Sequence, residues 1–73
     1  MSRKLPVISG EDMVKYLVKQ GFTVRRQTSS HIVVQNAWRV FSVPLHHELK
    51  KGTQIAILKQ AGIALDDFRR TCR

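Results

Sequence analysis

The sequence predicts an α+β domain, a three-stranded antiparallel sheet with helices packed on one face. Three observations carry this. Met13, Val14, Leu17 and Val18 recur at helical spacing. Three runs rich in β-branched and aromatic residues follow, at 22–27, 31–35 and 38–43, parted only by short stretches of turn residues. A second helical run then carries Ile55, Ala56, Leu58 and Lys59 up to Gly62. A sheet with both helices on one face buries one apolar side and leaves the other to solvent or a partner. The 73 residues make one domain, 1–73, with a small core.

Pro6 gives an extended lead-in. Ser9-Gly10-Glu11-Asp12 reads as a capping box, in which Ser9 accepts from the Asp12 amide and Asp12 reaches back. Glu11 and Asp12 also suit the positive end of a helix. Gly21 is a good residue just past a helix end, so the first helix spans about 10–20, with Lys15 and Lys19 on its wet side. In the first strand, alternation puts Phe22, Val24 and Arg26 on one face, so only one of Arg25 and Arg26 reaches the exposed side. In the second, Ile32 and Val34 point one way and His31, Val33 and Gln35 the other. The third is apolar on both faces.

The gaps Thr28-Ser29-Ser30 and Asn36-Ala37 suit hairpins. Pro44 ends the third strand because it cannot donate to a ladder. Residues 46–52 form a loop. Thr53 is the expected N-cap of the second helix and Gly62 its stop. Ile63 packs beneath the sheet. A short final helix opens at Leu65 or Asp66 and runs through Phe68, and the basic tail, 69–73, is expected to fray. Phe22 and Phe68 belong to the core. Trp38 and Phe41 suit either the core or stacking on bases.

Charge narrows the partner. Thirteen Lys and Arg stand against five acids, a net charge of +8 with pI near 10.7. Such a surface points to a polyanion, RNA or DNA, or to an acidic protein. The single cysteine, Cys72, excludes a disulfide framework within one chain and a Cys/His zinc spacing, which fits a reducing cytoplasm. No long apolar run follows Met1-Ser2-Arg3-Lys4, so no leader is expected. No stretch approaches the ~18 apolar residues of a membrane span.

The run Gln27-Thr28-Ser29-Ser30-His31 places a histidine at the mouth of a β-turn. Histidine both takes and gives a proton near neutral pH, and beside a cationic surface that chemistry suits a phosphate polymer. RNA carries its own nucleophile, the 2′-hydroxyl, so the reaction needs proton transfer and an offset for charge developing on phosphorus. The five acids do not cluster into a two-metal site, so neither metal nor other cofactor is expected. Taken alone, His31 serves equally well as a structural turn residue. Ser30 suits a hydrogen bond to phosphate or to the backbone. His46 and His47 suit a solvated loop, a second acid–base partner or a phosphate contact. Lys50, Lys51 and Thr53, at a helix start, suit a phosphate cradle.

From about residue 5 to 68 the chain resembles the HicA-type toxins of HicA–HicB toxin–antitoxin pairs. The likeness lies in Leu5-Pro6-Val7-Ile8-Ser9-Gly10 with Leu17 and Gly21-Phe22, in the turn segment from Arg26 to His31, in Val43-Pro44-Leu45-His46, and in Glu48-Leu49-Lys50-Lys51-Gly52-Thr53 followed by Ile57-Leu58-Lys59-Gln60-Ala61-Gly62-Ile63. The resemblance implies a double-stranded-RNA-binding-domain-like fold and a metal-independent ribonuclease that cleaves messenger RNA in the cytoplasm. His31 would be its catalytic histidine. Ser30, Arg26, His46, Lys50, Lys51 and Thr53 would contact RNA, and a HicB-type antitoxin would be its partner. Two positions depart from the family pattern. Ser29 replaces a usual glycine and Ile32 a frequent second histidine. Because glycine often supplies a positive φ in tight turns, Ser29 predicts a reshaped turn and lowered activity. A non-catalytic RNA-binding module, or a degenerate toxin that only binds its antitoxin, is the alternative.

Overall fold

The structure, a computed structural model, describes residues 5–71. The expectations resting on residues 1–4 and on Cys72 lie outside the described residues. The order is α1 (Gly10–Lys19), β1 (Thr23–Gln27), β2 (His31–Asn36), β3 (Arg39–Pro44), α2 (Lys51–Ala61) and α3 (Leu65–Thr71). The three strands form one antiparallel meander in the order β1-β2-β3. This is the predicted α+β arrangement, consistent with a double-stranded-RNA-binding-domain-like fold. No described helix is long and apolar enough to cross a membrane.

One sheet face is greasy. Ile32 and Val34 of β2 and Phe41 and Val43 of β3 pack with Met13, Val14 and Leu17 of α1, Ile57, Leu58 and Ala61 of α2, and Phe68 of α3. Edge-to-face ring pairs, Phe22–Phe41 at 5.5 Å and Tyr16–Phe68 at 5.0 Å, join the α1–β1 connection to β3 and α1 to α3. The helical stripe of α1 differs from expectation at two positions. Tyr16 is buried and Val18 is 47% exposed, because α1 faces α3 as well as the sheet and Tyr16 meets Phe68.

The Ser9 hydroxyl caps α1, accepting from the Asp12 amide at 3.0 Å, while the Asp12 carboxylate lies 4.0 Å from Lys15 Nζ. Gly10 is where the helix meets the sheet end. Its amide donates to the His46 carbonyl at 2.9 Å, and a Cβ there would sit 1.9 Å from the Pro44 carbonyl oxygen. Only glycine admits that approach.

Two expectations about α2 and α3 are corrected. Thr53 is not the N-cap of α2. Lys50 takes that place, with extended backbone and no side-chain cap. The helix starts early because Leu49 is buried and Gln54 reaches back. Gln54, 1% exposed, donates through Nε2 to the carbonyls of Leu49 (3.1 Å) and Pro6 (3.0 Å). It is a buried polar clamp that a hydrophobic pattern does not reveal. The stretch Arg69-Arg70-Thr71 is helical rather than frayed, for Arg69 pairs with Asp66 and Arg70 with Asp67 one turn back. The predicted stop at Gly62 stands, with φ 73 and its amide on the Lys59 carbonyl.

Candidate active site at the β1–β2 turn

Thr28 builds the turn. Its amide donates to the His31 carbonyl at 2.8 Å, and its hydroxyl accepts from the amides of His31 (3.1 Å) and Ser30 (3.4 Å). From the other side the Leu45 amide donates to the Ser30 carbonyl at 2.8 Å, extending the β2–β3 ladder one step past Pro44. Ser30 is thus held on both flanks. Among non-glycine described residues only Ala37 has a positive φ. Ser29 therefore sits in the turn without the positive φ that a glycine there often supplies. The Thr28 hydroxyl also donates to the His31 carbonyl at 3.2 Å, closing the turn.

His31 opens β2 with its side chain exposed. Its Nδ1 lies 2.9 Å from Ser30 Oγ, so one ring nitrogen is tethered. Ile32 and Val34 are buried, so alternation puts His31, Val33 and Gln35 on the outer sheet face.

That face holds the main correction to the sequence reading. Val24 pairs with Val34 and Arg26 with Val33, so β1 has one extra residue, a bulge at Arg25. Across a bulge the alternation of faces is lost. Arg25 and Arg26 both emerge on the outer side, and with Val33, Gln35 and Val40 they line one hollow of about 400 Å³. Arg26 is opposite Val33 and so diagonal to His31 across the β1–β2 pair, a spacing of about 7–8 Å. The sequence contained no signal for the bulge beyond two adjacent arginines in an alternating run.

The remaining candidates lie elsewhere. His46 and His47 are exposed and line a separate hollow of about 230 Å³ with Ser9, Glu11 and Leu45. His46 is joined to the turn only through its neighbour Leu45. Lys50 and Lys51 are exposed at the α2 start and Thr53 is half-buried in its first turn. No hydrogen bond brings these three to His31. Arg39 is committed to structure. Its Nη1 donates to the Gln60 carbonyl at 2.7 Å, its guanidinium lies 4.3 Å from the Trp38 ring, and Gly62 leaves room for it. Phe41 is core, whereas Trp38 is 78% exposed in the β2–β3 turn. Among the described residues, no three His, Cys, Asp or Glu side chains come together to hold a metal ion.

A family model described as "HicA toxin of bacterial toxin-antitoxin" matches residues 10–63. That span runs from α1 through the β1–β2 turn to the end of α2. No curated protein and no solved structure matches the chain.

Proposed function

The chain belongs to the HicA toxin family of bacterial toxin–antitoxin systems, which gives it a toxin role and an antitoxin partner, and on that premise we propose that it is a ribonuclease acting on messenger RNA through His31. The observation that carries the reading is the exposed imidazole at the edge of an outer sheet face, tethered through Nδ1 to Ser30 and sharing that face with Arg26.

The reaction uses the tautomer in which Nδ1–H donates to Ser30 Oγ, which leaves the Nε2 lone pair free. Nε2 removes the proton of a ribose 2′-hydroxyl. The 2′-oxygen attacks the adjacent phosphorus, the bond from phosphorus to the 5′-oxygen breaks, and that oxygen takes the proton back from His31. The products are a 2′,3′-cyclic phosphate and a 5′-hydroxyl. Proton transfer of this kind is worth roughly 10²–10⁴-fold in rate. Arg26 offsets the negative charge growing on the phosphoryl oxygens. His46, Lys50, Lys51 and Thr53 provide outlying cationic and polar contacts to the RNA backbone. The partner is a HicB-type antitoxin, and the reaction belongs in the cytoplasm, where messenger RNA is found.

The test is direct. Purified protein is incubated with end-labelled RNA with and without a chelator, and the product ends are mapped. Chelator-insensitive cleavage leaving cyclic phosphates supports the proposal. Intact RNA under all conditions, with tight antitoxin binding retained, identifies a degenerate toxin.

A further inference from the structure

We infer that the hollow made by the β1 bulge is a nucleotide subsite that continues the single-stranded RNA path away from His31, with Arg26 facing the scissile phosphate and Arg25 the next phosphate along. The inference rests on the ribonuclease reading for its reaction but on separate observations for its binding. Neither alternation along β1 nor the family match assigns it.

The bulge turns Arg25 and Arg26 to the same side, so two guanidinium groups border one depression. Arg25 is pre-aimed. Its Nη1 donates to Gln35 Oε1, and Gln35 Nε2 is itself fixed to the Ala37 carbonyl at 2.9 Å. The tether is a neutral amide, so it orients the guanidinium without neutralising it. No carboxylate among the described residues pairs with either arginine, whereas Lys15, Arg69 and Arg70 each face an acid. An unneutralised, pre-oriented arginine pair suits phosphate oxygens, which accept from its fork of N–H donors.

The floor is different in kind. Val33 and the 53%-exposed Val40 present an apolar surface between the arginines and β3. A cationic rim over an apolar floor suits a nucleotide, phosphate at the rim and the apolar base face against Val33 and Val40. The place fits too. Arg26 stands on the neighbouring strand, diagonal to His31 at about 7–8 Å, so the rim of the hollow and the imidazole are neighbours on one face. A strand threaded past Nε2 therefore passes over the hollow.

The experiment measures binding of a short mixed-sequence oligoribonucleotide, 2′-O-methylated at every ribose so that it cannot be cut. Affinity is followed across a salt series for the parent, Arg25→Gln, Arg26→Gln, the double variant and the charge-matched control Arg70→Gln. Thermal unfolding verifies that each variant is folded. The slope of log affinity against log salt should shrink by about 0.7 for each sheet arginine and about 1.4 for the pair, with no change for the control. With cleavable RNA, Arg25→Gln should raise KM and leave kcat near the parent value.

Slopes that superimpose on the parent overturn the subsite. So does a variant set in which oligonucleotide binding is unchanged and only antitoxin affinity falls, since the hollow would then serve the partner. Failure of the ribonuclease reading looks different. The methylated strand would still bind in an Arg25- and Arg26-dependent way, while cleavable RNA stayed whole.

Discussion

At the scale of single residues, the tether from Ser30 to the ring of His31 matters most. An imidazole that must meet a 2′-hydroxyl gains from one fixed nitrogen, because a wandering ring is seldom in reach. Ser30→Ala removes the tether but not the base. It should lower kcat about 10-fold and leave KM nearly unchanged, and Ser30→Thr should restore most of the loss. An equal fall in Ser30→Thr, or an effect confined to KM, would show that the hydroxyl binds rather than positions. Ala37 offers a stability prediction. Its φ of 54 is costly for a residue with a Cβ. Ala37→Gly should therefore stabilise the fold by about 0.5–1 kcal/mol, read by denaturant unfolding, after the extra freedom glycine gains in the unfolded chain. His31 was legible as a candidate from residue type and place in an alternating run. Thr28 was not. Its role lies in four short-range hydrogen bonds through one hydroxyl and one amide, which no periodicity encodes.

At the scale of elements, α1, the meander and the stop of α2 at Gly62 were legible because capping residues, period and positive-φ glycines agree. Two features escaped. The β1 bulge inserts one residue, so every inference from alternation reverses at Arg26. The start of α2 escaped because Lys50 is a poor cap by type, and the helix is anchored by buried Leu49 and Gln54 instead. The junction of α1 with the end of β3 makes a testable joint. Gly10→Ala drives a methyl into the Pro44 carbonyl. It should cost about 1–3 kcal/mol. The loss is expected as a fall of roughly 4–8 °C in Tm for each kcal/mol. Because the Gly10 amide also holds the His46 carbonyl, the shift of the His46 ring signal in an NMR spectrum should accompany it. An unchanged Tm would refute the close approach.

For the whole molecule, the decisive property is where charge lies. Between Asp12 and Glu48 the chain has no acid, and this acid-free stretch includes the entire sheet. The five acids sit on α1, the loop before α2, and α3. The outer sheet face is therefore positive without compensation, and the net charge of +8 is directional. The total was legible from composition, but its direction needed the fold. Ser42 is exposed on β3 opposite Val33, so Ser42→Glu places an acid on that face without disturbing the core. It should weaken RNA binding several-fold at low salt, lose that effect at high salt, and shift stability by less than about 0.5 kcal/mol. Equal weakening at every salt concentration would point to a local distortion rather than to the field of the face.

The most direct measurement is the single-turnover cleavage rate of labelled RNA by the parent and by His31→Ala, with thermal unfolding recorded for both. His31 is exposed and its loss leaves no cavity, so stability should hold within about 0.5 kcal/mol. The rate should fall by roughly 10²–10⁴-fold. A folded alanine variant that cuts RNA as fast as the parent would contradict the account.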